Sequence, residues 1–552
     1  MKNIRKYKIK KQQIIATIFF TLIQLITLIA PFVMGLIIDE YIPNKNLYGI
    51  IFGIIIFILI PFFSVALQTL YNYFLIKYVR KKGNEMSIDI MKNLVYKENQ
   101  FFDQENSLEL LSYSSKEAVS YINFYISELS KFYVYIIISI IIFIILLFLN
   151  PIIALIQLLY FPIAYFPVKK IMKNIDLEVQ EIVKTNAEIN QIKGDVFKAI
   201  EFIKLNRLEN KKIKEVEKHN DRINKIWGKV AALDTMSGIW SSGFVTVLFT
   251  GISFGVGALL VLNNVFNFQI GQLVSCITYI GLLYGYFNTI LQTNIDKKKK
   301  EAEFEKIFSY LELKGEREEN KDKQLLTFNN SITFKKCNFN YNENVKALNN
   351  LSMEFKKGIW TGIVGKSGSG KSTILDLIMK LYFVDDGMIY FDNTDINKIN
   401  SFDIRKKITK ITQDIYLFPG TIESNLKLVN ENITNEEIEK VIKFVCLDEY
   451  ISSLPDGLKT DVGEAGKLMS GGEKQRLSLA MGLLRNNKIL LLDEVTANLD
   501  STTEKIISTN LKKLVDNGYT IISISHKEEF LKYCDVIYTI EDGTVINTDN
   551  RS

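Results

Sequence analysis

The chain has 552 residues, 48% of them hydrophobic, and a formal charge of +6, with a positive mean hydropathy. That length calls for two or three folding units, and apolar residues gathered toward the N-terminal half argue for a membrane part followed by a soluble part. Cys276, Cys337, Cys446 and Cys534 show no CxxC spacing and no histidine cluster accompanies them, so neither a disulfide framework nor a zinc site is expected; lysines placed beside apolar runs argue for membrane flanking and against a nucleic-acid partner.

The opening MKNIRKYKIKKQQ is basic, and the run at residues 14–38 is uncharged. A secretory signal would have a shorter apolar region and a small-residue cleavage site, whereas this run is long enough to span a bilayer and ends in IIDEYIP, which predicts a retained first span. Residues 47–76 form a second. No charge occurs between Lys131 and Lys169, a stretch too long for one span, and Asn150-Pro151 divides it into two. The uncharged segment between Asp234 and Asp296, with Asn263-Asn264 near its middle, supplies two more, six in all.

Lysines and arginines crowd the N-terminus, the two long connections and residues 297–300, while the three opposite turns hold only Lys45. The positive-inside rule therefore places both termini and both connections in the cytoplasm. The connections have helix-compatible apolar spacing among many charges, which predicts long helices continuing the spans into the cytosol.

From about Leu325 the pattern turns to short strand-like runs, turns and helices, an α/β signature. The run IWTGIV precedes Gly365, Lys366, Ser367, Gly368, Ser369, Gly370, Lys371 and Ser372, with Thr373 opening a helix-like run. Such glycines let backbone amides wrap phosphates; Lys371 would reach the β- and γ-phosphates and Ser372 would ligate Mg2+. The run KILLLDEVTANLD reads as a buried parallel strand that delivers Asp493 to the magnesium shell and Glu494 to the attacking water. His526, after the strand-like TIISIS, suits a γ-phosphate contact, although a lone histidine in such a place is ordinarily structural.

Together these residues resemble the nucleotide-binding domain of ATP-binding-cassette (ABC) transporters, and with six spans ahead of it the chain resembles an ABC exporter half-transporter. The resemblance implies an all-α six-helix transmembrane domain at residues 1–315, a linker at 316–328 and an α/β P-loop NTPase domain at 329–552. It also implies that Tyr341, in NFNYNE, stacks on adenine, and that Gln413 contacts magnesium and couples the site to the membrane part. Asp493 would close the Walker B strand, Glu494 would be the catalytic base, Asp500 would lie in the D-loop and His526 would be the switch histidine. In LMSGGEKQR, Ser470, Gly471 and Gly472 match the turn that in this family binds the γ-phosphate of ATP held by the opposite chain. Here Met469 and Glu473 replace the usual leucine and glutamine.

Coupling helices are expected near residues 101–110, in FFDQENSLELL without the usual glycine, and near residues 199–205. The implied function is ATP-driven export across the bacterial plasma membrane by a dimer. A homodimer is expected because Glu494 and His526 are intact; the alternatives are the catalytic subunit of a heterodimer and, disfavoured by six paired spans, a membrane-anchored regulatory ATPase. Uncharged spans with Gln24, Gln68, Tyr71, Tyr160 and Tyr279 suit an amphipathic compound, a lipid or a peptide, although such side chains also serve as ordinary helix-packing glue. Too few residues precede the first span for a leader-peptidase domain, so a peptide cargo would be matured elsewhere. The lysine-, asparagine- and isoleucine-rich composition points to a bacterial source with an AT-rich genome.

Overall fold

The structure, a computed structural model, describes residues 10–105, 107–312, 315–316, 320, 322–342, 345–413 and 415–551. The basic opening at residues 1–9, part of the predicted linker and Asn106 of the first predicted coupling turn lie outside the described residues. The chain divides into two compact units, Met1–Lys92 with Leu108–Glu312 and Asn93–Ser107 with Leu313–Ser552.

Among the described residues, six helices are long and apolar enough to cross a membrane: Lys11–Tyr41, Leu47–Val95, Leu110–Leu149, Pro151–Lys198, Glu209–Leu262 and Ile270–Thr293. The second and fourth run on past their apolar stretches as single long helices, as the spacing predicts. Between the third and fourth, Asn150 adopts an extended backbone and its side chain accepts from the amides of Ile152 and Ile153 at 3.0 and 3.2 Å, with Pro151 at the first helical position. Asparagine as cap and proline where an amide would be unsatisfied account for the break. Asn264, left-handed at φ 48°, turns the chain between the fifth and sixth spans.

Polar side chains tie the spans together. A π-helical turn, Ile37–Tyr41, aims Asp39 at the start of the sixth span, where it accepts from the amides of Gly271 at 2.6 Å and Gln272 at 2.8 Å. The buried Gln157 donates to Ser253 Oγ at 2.9 Å and accepts from Tyr284 Oη at 2.5 Å, joining the fourth, fifth and sixth spans. Tyr279 donates to the Leu28 carbonyl at 2.7 Å, Tyr286 to Gln24 at 2.9 Å, and Tyr160 shares a 3.2 Å bond with Thr246. In apolar surroundings such groups hold helices together because leaving them unpaired is costly. Of the five polar residues expected either to face cargo or to act as glue, Gln24, Tyr71, Tyr160 and Tyr279 are bonded between spans, Tyr71 through a 3.5 Å bond to the Ala16 carbonyl.

The soluble unit contains two sheets. An antiparallel four-stranded sheet has the order β2-β1-β4-β5, with β1 at Ser331–Asn342, β2 at Val345–Lys356, β4 at Ile389–Phe391 and β5 at Thr394–Asp395. A six-stranded sheet has the order β10-β9-β3-β8-β7-β6, with β3 at Trp360–Gly365, β6 at Ile408–Ile411, β7 at Ile489–Asp493, β8 at Thr520–Ile524, β9 at Val536–Glu541 and β10 at Thr544–Asn550. All its pairs except β9-β10 are parallel. ILLLD and TIISI are buried throughout, as parallel strands covered on both faces must be. One apolar core joins the two sheets and another sits under the helical residues 422–484. Ile524 of β8 pairs with both Ile363 and Asp493, so the C-terminal ends of β3, β7 and β8 lie side by side. In parallel sheets that edge is where ligands bind.

Candidate functional site

The loop leaving β3 turns into helix α1, Lys371–Ile378, through Gly370 at φ 95°. A Cβ there would stand 2.5 Å from the Ala347 carbonyl oxygen, so the position admits glycine alone. Ser367 and Gly368 are exposed at the crest, and Lys366 pairs with Glu541 at 2.7 Å in open solvent. Lys371 is largely buried, its ammonium donating to the carbonyl oxygens of Gly365 and Lys366 at 2.8 Å each. Burial pulls its pKa below the ordinary lysine value, against the opposing pull of Glu494 and Asp493. Ser369 Oγ is buried and makes no hydrogen bond among the described residues.

Tyr341 shares a 3.0 Å bond with Thr373 in the first turn of α1. The rings of Phe339 and Tyr382 meet Tyr341 edge to face at 5.0 and 5.1 Å. An aromatic surface therefore lies beside the phosphate loop.

Ser372 donates to Asp493 Oδ1 at 3.2 Å. Burial raises the Asp493 pKa, and the facing Lys410 ammonium opposes this. Lys410, on β6, lies 2.5 Å from Asp376 of α1 and 4.0 Å from Asp493. Glu494 follows in a left-handed backbone at φ 51°. Its carboxylate accepts from Gln413 Nε2 at 2.7 Å and stands 3.4 Å from His526 Nε2. The strand ends thus bring Lys371, Ser372, Asp493, Glu494, Gln413 and His526 into one neighbourhood.

The serine-glycine turn opens helix α2, Gly471–Leu484. Ser470 is its N-cap: the Glu473 amide donates to Ser470 Oγ at 3.4 Å, and the Ser470 amide donates to Glu473 Oε2 at 2.8 Å. The glutamate that departs from the family pattern thus closes a reciprocal cap, which a glutamine oxygen would close equally. Ser470 and Gly471 are exposed. Asp500 caps helix α3, Ser501–Asp516, accepting from the Thr503 amide at 2.9 Å. Bonds from the Thr502 hydroxyl and that amide hold its pKa well below the usual carboxylate range.

Sequence reasoning missed three features. Lys410 lies in the short apolar run of β6, where a lysine gives no motif; Gln475 is buried behind the glycine turn; and Asp103, in the helix Asn99–Gln104, accepts from Tyr382 Oη at 2.8 Å within the soluble unit. The predicted second coupling turn forms the helix Ile200–Leu205, with Phe197, Phe202 and Leu205 exposed at the tip.

The donor set fits a magnesium nucleotide. The loop offers an ammonium, a glycine cradle and an unpaired hydroxyl, and a hydroxyl-carboxylate pair of hard oxygens stands beside them. Residues 348–497 match the ABC transporter family and residues 13–287 match the ABC transporter transmembrane region. A Rickettsia typhi protein named as an export ATP-binding/permease protein is 40% identical over 223 residues, 40% of this chain, so the chain spans only 38% of that relative's length. The multidrug resistance-like ATP-binding protein MdlA of Buchnera aphidicola is 27% identical over 557 residues, covering 98% of this chain and 93% of that protein. The solved structure of a bacterial Atm1-family ABC exporter with ATP bound matches with a TM-score of 0.87 at 21% identity, over 99% of this chain and 96% of that one. Its six apolar helices and its relatives make this a multi-pass membrane protein with a cytoplasmic nucleotide-binding half. With a transporter membrane region and an ATP-binding region matched in one polypeptide, the chain belongs to the ABC transporter family.

Proposed function

We propose that the chain is one half of an ATP-driven exporter that works as a dimer, most simply of two identical copies. The observation that carries this reading is the gathering of Lys371, Ser372, Asp493 and Glu494 at one sheet edge in a chain that also holds six apolar spans. ATP lies along the loop, with Lys371 and the α1 amides on its phosphates and Tyr341 toward its adenine. Ser372 and Asp493, with Gln413, would hold Mg2+, which would supply neutralisation of charge on the phosphate oxygens.

Glu494 accepts a proton from water as that water's oxygen bonds to the γ-phosphorus; the bond to the bridging oxygen breaks, leaving ADP and phosphate. His526, beside the same carboxylate, is placed to contact the γ-phosphate. The exposed Ser470 and Gly471 with Gly472 cover the partner copy's nucleotide, by the same anion logic at a helix start. Asp103 with Tyr382 at one cytoplasmic turn, and the apolar tip around Phe202 at the other, carry closure to the spans. ATP thereby favours one of two membrane states and hydrolysis restores the other.

The cargo is an amphipathic compound, a lipid or a peptide, because the apolar stretches at residues 14–38, 47–76, 132–168 and 235–295 carry no charge. Gln24, Tyr71, Tyr160 and Tyr279 are occupied in joining helices, so they are not the side chains that choose it. The test is uptake of fluorescent amphiphiles, lipids and peptides into inside-out vesicles. ATP-dependent accumulation that Lys371→Ala and Ser470→Ala each abolish supports the proposal. ATP hydrolysis that no such compound stimulates, with no uptake, contradicts export.

A further inference from the structure

Gln475 lies in the second turn of α2, and its side chain is 3% exposed. Its Nε2 donates to the Glu494 carbonyl oxygen at 3.2 Å, and its Oε1 accepts from the Asn498 amide at 2.9 Å. One carboxamide thus spans from the helix that begins at Ser470 to the backbone carrying Glu494 and to the loop leading to Asp500.

Both neighbours are sensitive to position. Glu494 is left-handed at φ 51°, a conformation that L residues adopt only when their surroundings impose it. Its amide is fixed by the Ile524 carbonyl at 3.1 Å, and its carbonyl is held by the Ala497 amide at 3.1 Å together with Gln475, the one of these that reaches it from the helix of the glycine turn. Asn498, on the other side, packs against the glycine turn: a Cβ on Gly472 would lie 2.9 Å from the Asn498 carbonyl oxygen. A shift of Gly471 and Gly472 therefore bears on Asn498, and through Gln475 on Glu494.

We propose that Gln475 is a positioning residue that links the lid this chain lends to its partner with the base it uses in its own site. The inference rests on the dimeric ATPase reading above. When Ser470 and the glycines engage the partner's γ-phosphate, the start of α2 is fixed, and Gln475 transmits that fixation to the backbone conformation that aims Glu494. The two nucleotide sites formed between the copies thus become ready together rather than independently. A glutamine that only satisfied two buried backbone groups would affect stability and nothing else.

The test is the full chain in nanodiscs carrying Gln475→Met, which keeps volume and removes both hydrogen bonds. The expected result is a loss in kcat on the order of tenfold or more, with binding of a fluorescent ATP analogue changed less than about twofold and with cooperativity in ATP lost. Mixed dimers make the test directional. With Glu494→Gln silencing one copy's site, Gln475→Met placed in either copy lowers turnover in the other site, whether by misplacing the base or by loosening the lid.

Loss in only one arrangement overturns the link, as does a kcat within about twofold of wild type in a folded variant. Should the methionine variant fail to fold, Gln475→Glu, which keeps the acceptor toward Asn498 and drops the donor toward Glu494, is read in the same way. Absence of hydrolysis by the unaltered protein would instead count against the ATPase reading, independently of Gln475.

Discussion

Lys410→Met isolates the electrostatics of the metal-side carboxylates. Lys410 is 8% exposed, its ammonium 2.5 Å from Asp376 and 4.0 Å from Asp493, whose side chains are 18% and 6% exposed. At an effective dielectric of about 20, those separations correspond to gross attractions of roughly 7 and 4 kcal/mol. Desolvation of three charges offsets most of this, so the net value of the cluster is small. Removing only the cation is different, because Asp376 then loses its ion-pair partner and faces the buried Asp493, which keeps only the Lys371 cation. Losing one partner of a buried pair costs about 3–5 kcal/mol, and the partial exposure of Asp376 favours the lower end, about 3 kcal/mol.

For a unit of this size that corresponds to a fall in Tm of roughly 6–12 °C. Thermal unfolding of the nucleotide-free protein measures it. Adding Asp376→Asn removes the acid that most needs Lys410, so the double variant recovers more than half of the loss. A Lys410→Met protein that melts with wild type, or a second substitution that recovers nothing, would refute this reasoning.

Glu494→Gln keeps the carbonyl oxygen that faces Gln413 and removes the proton acceptor, so kcat falls about 10²–10⁴-fold while filter-binding still detects bound ATP. Glu473→Gln preserves the cap on Ser470 and removes a negative charge from the helix start proposed to face the partner's phosphate. The ATP KM should fall by roughly two- to fivefold, the equivalent of about 0.3–1 kcal/mol, with Tm unchanged. Asp392 is pushed up by burial, but amides of Asn329, Asn330 and Ser331 at 2.8, 2.7 and 3.1 Å outweigh this and hold its pKa below the ordinary value. A depressed folded-state pKa contributes stability that is full above the unfolded value and lost as pH falls through the folded one. Asp392→Asn should therefore destabilise most at neutral pH and converge on wild type in acid, as denaturant unfolding at two pH values would show.

Local chemistry was the part of this molecule open to reading from sequence. The break at Asn150-Pro151 could be read because cap and proline are adjacent, and the phosphate loop and acidic strand because neighbouring residues dictate their geometry. Pairings across long sequence separation left no mark. Asp39 capping the sixth span 232 residues away, Gln157 between Ser253 and Tyr284, and Lys410 beside Asp376 all consist of ordinary residues whose partners only the fold reveals. The stretch read as a linker shows the same limit. Glu316 is buried and forms a two-pronged pair with Arg405 at 2.6 and 2.7 Å, and Asn320 is bonded to Ser401, partners that a polar stretch does not announce. Glu473 was the reverse case: its departure from the family pattern was visible, and so was the Ser-x-x-Glu spacing of the reciprocal cap that accommodates it, although sequence reasoning passed over it.

The central claim is that a nucleotide is hydrolysed only between two copies, one holding phosphate at Lys371 and the other presenting Ser470. Its most direct test is the hydrolysis rate per copy in nanodiscs sorted to contain either one chain or two. The account predicts turnover in two-chain discs and none above background in one-chain discs. Equal rates per copy in both would contradict it.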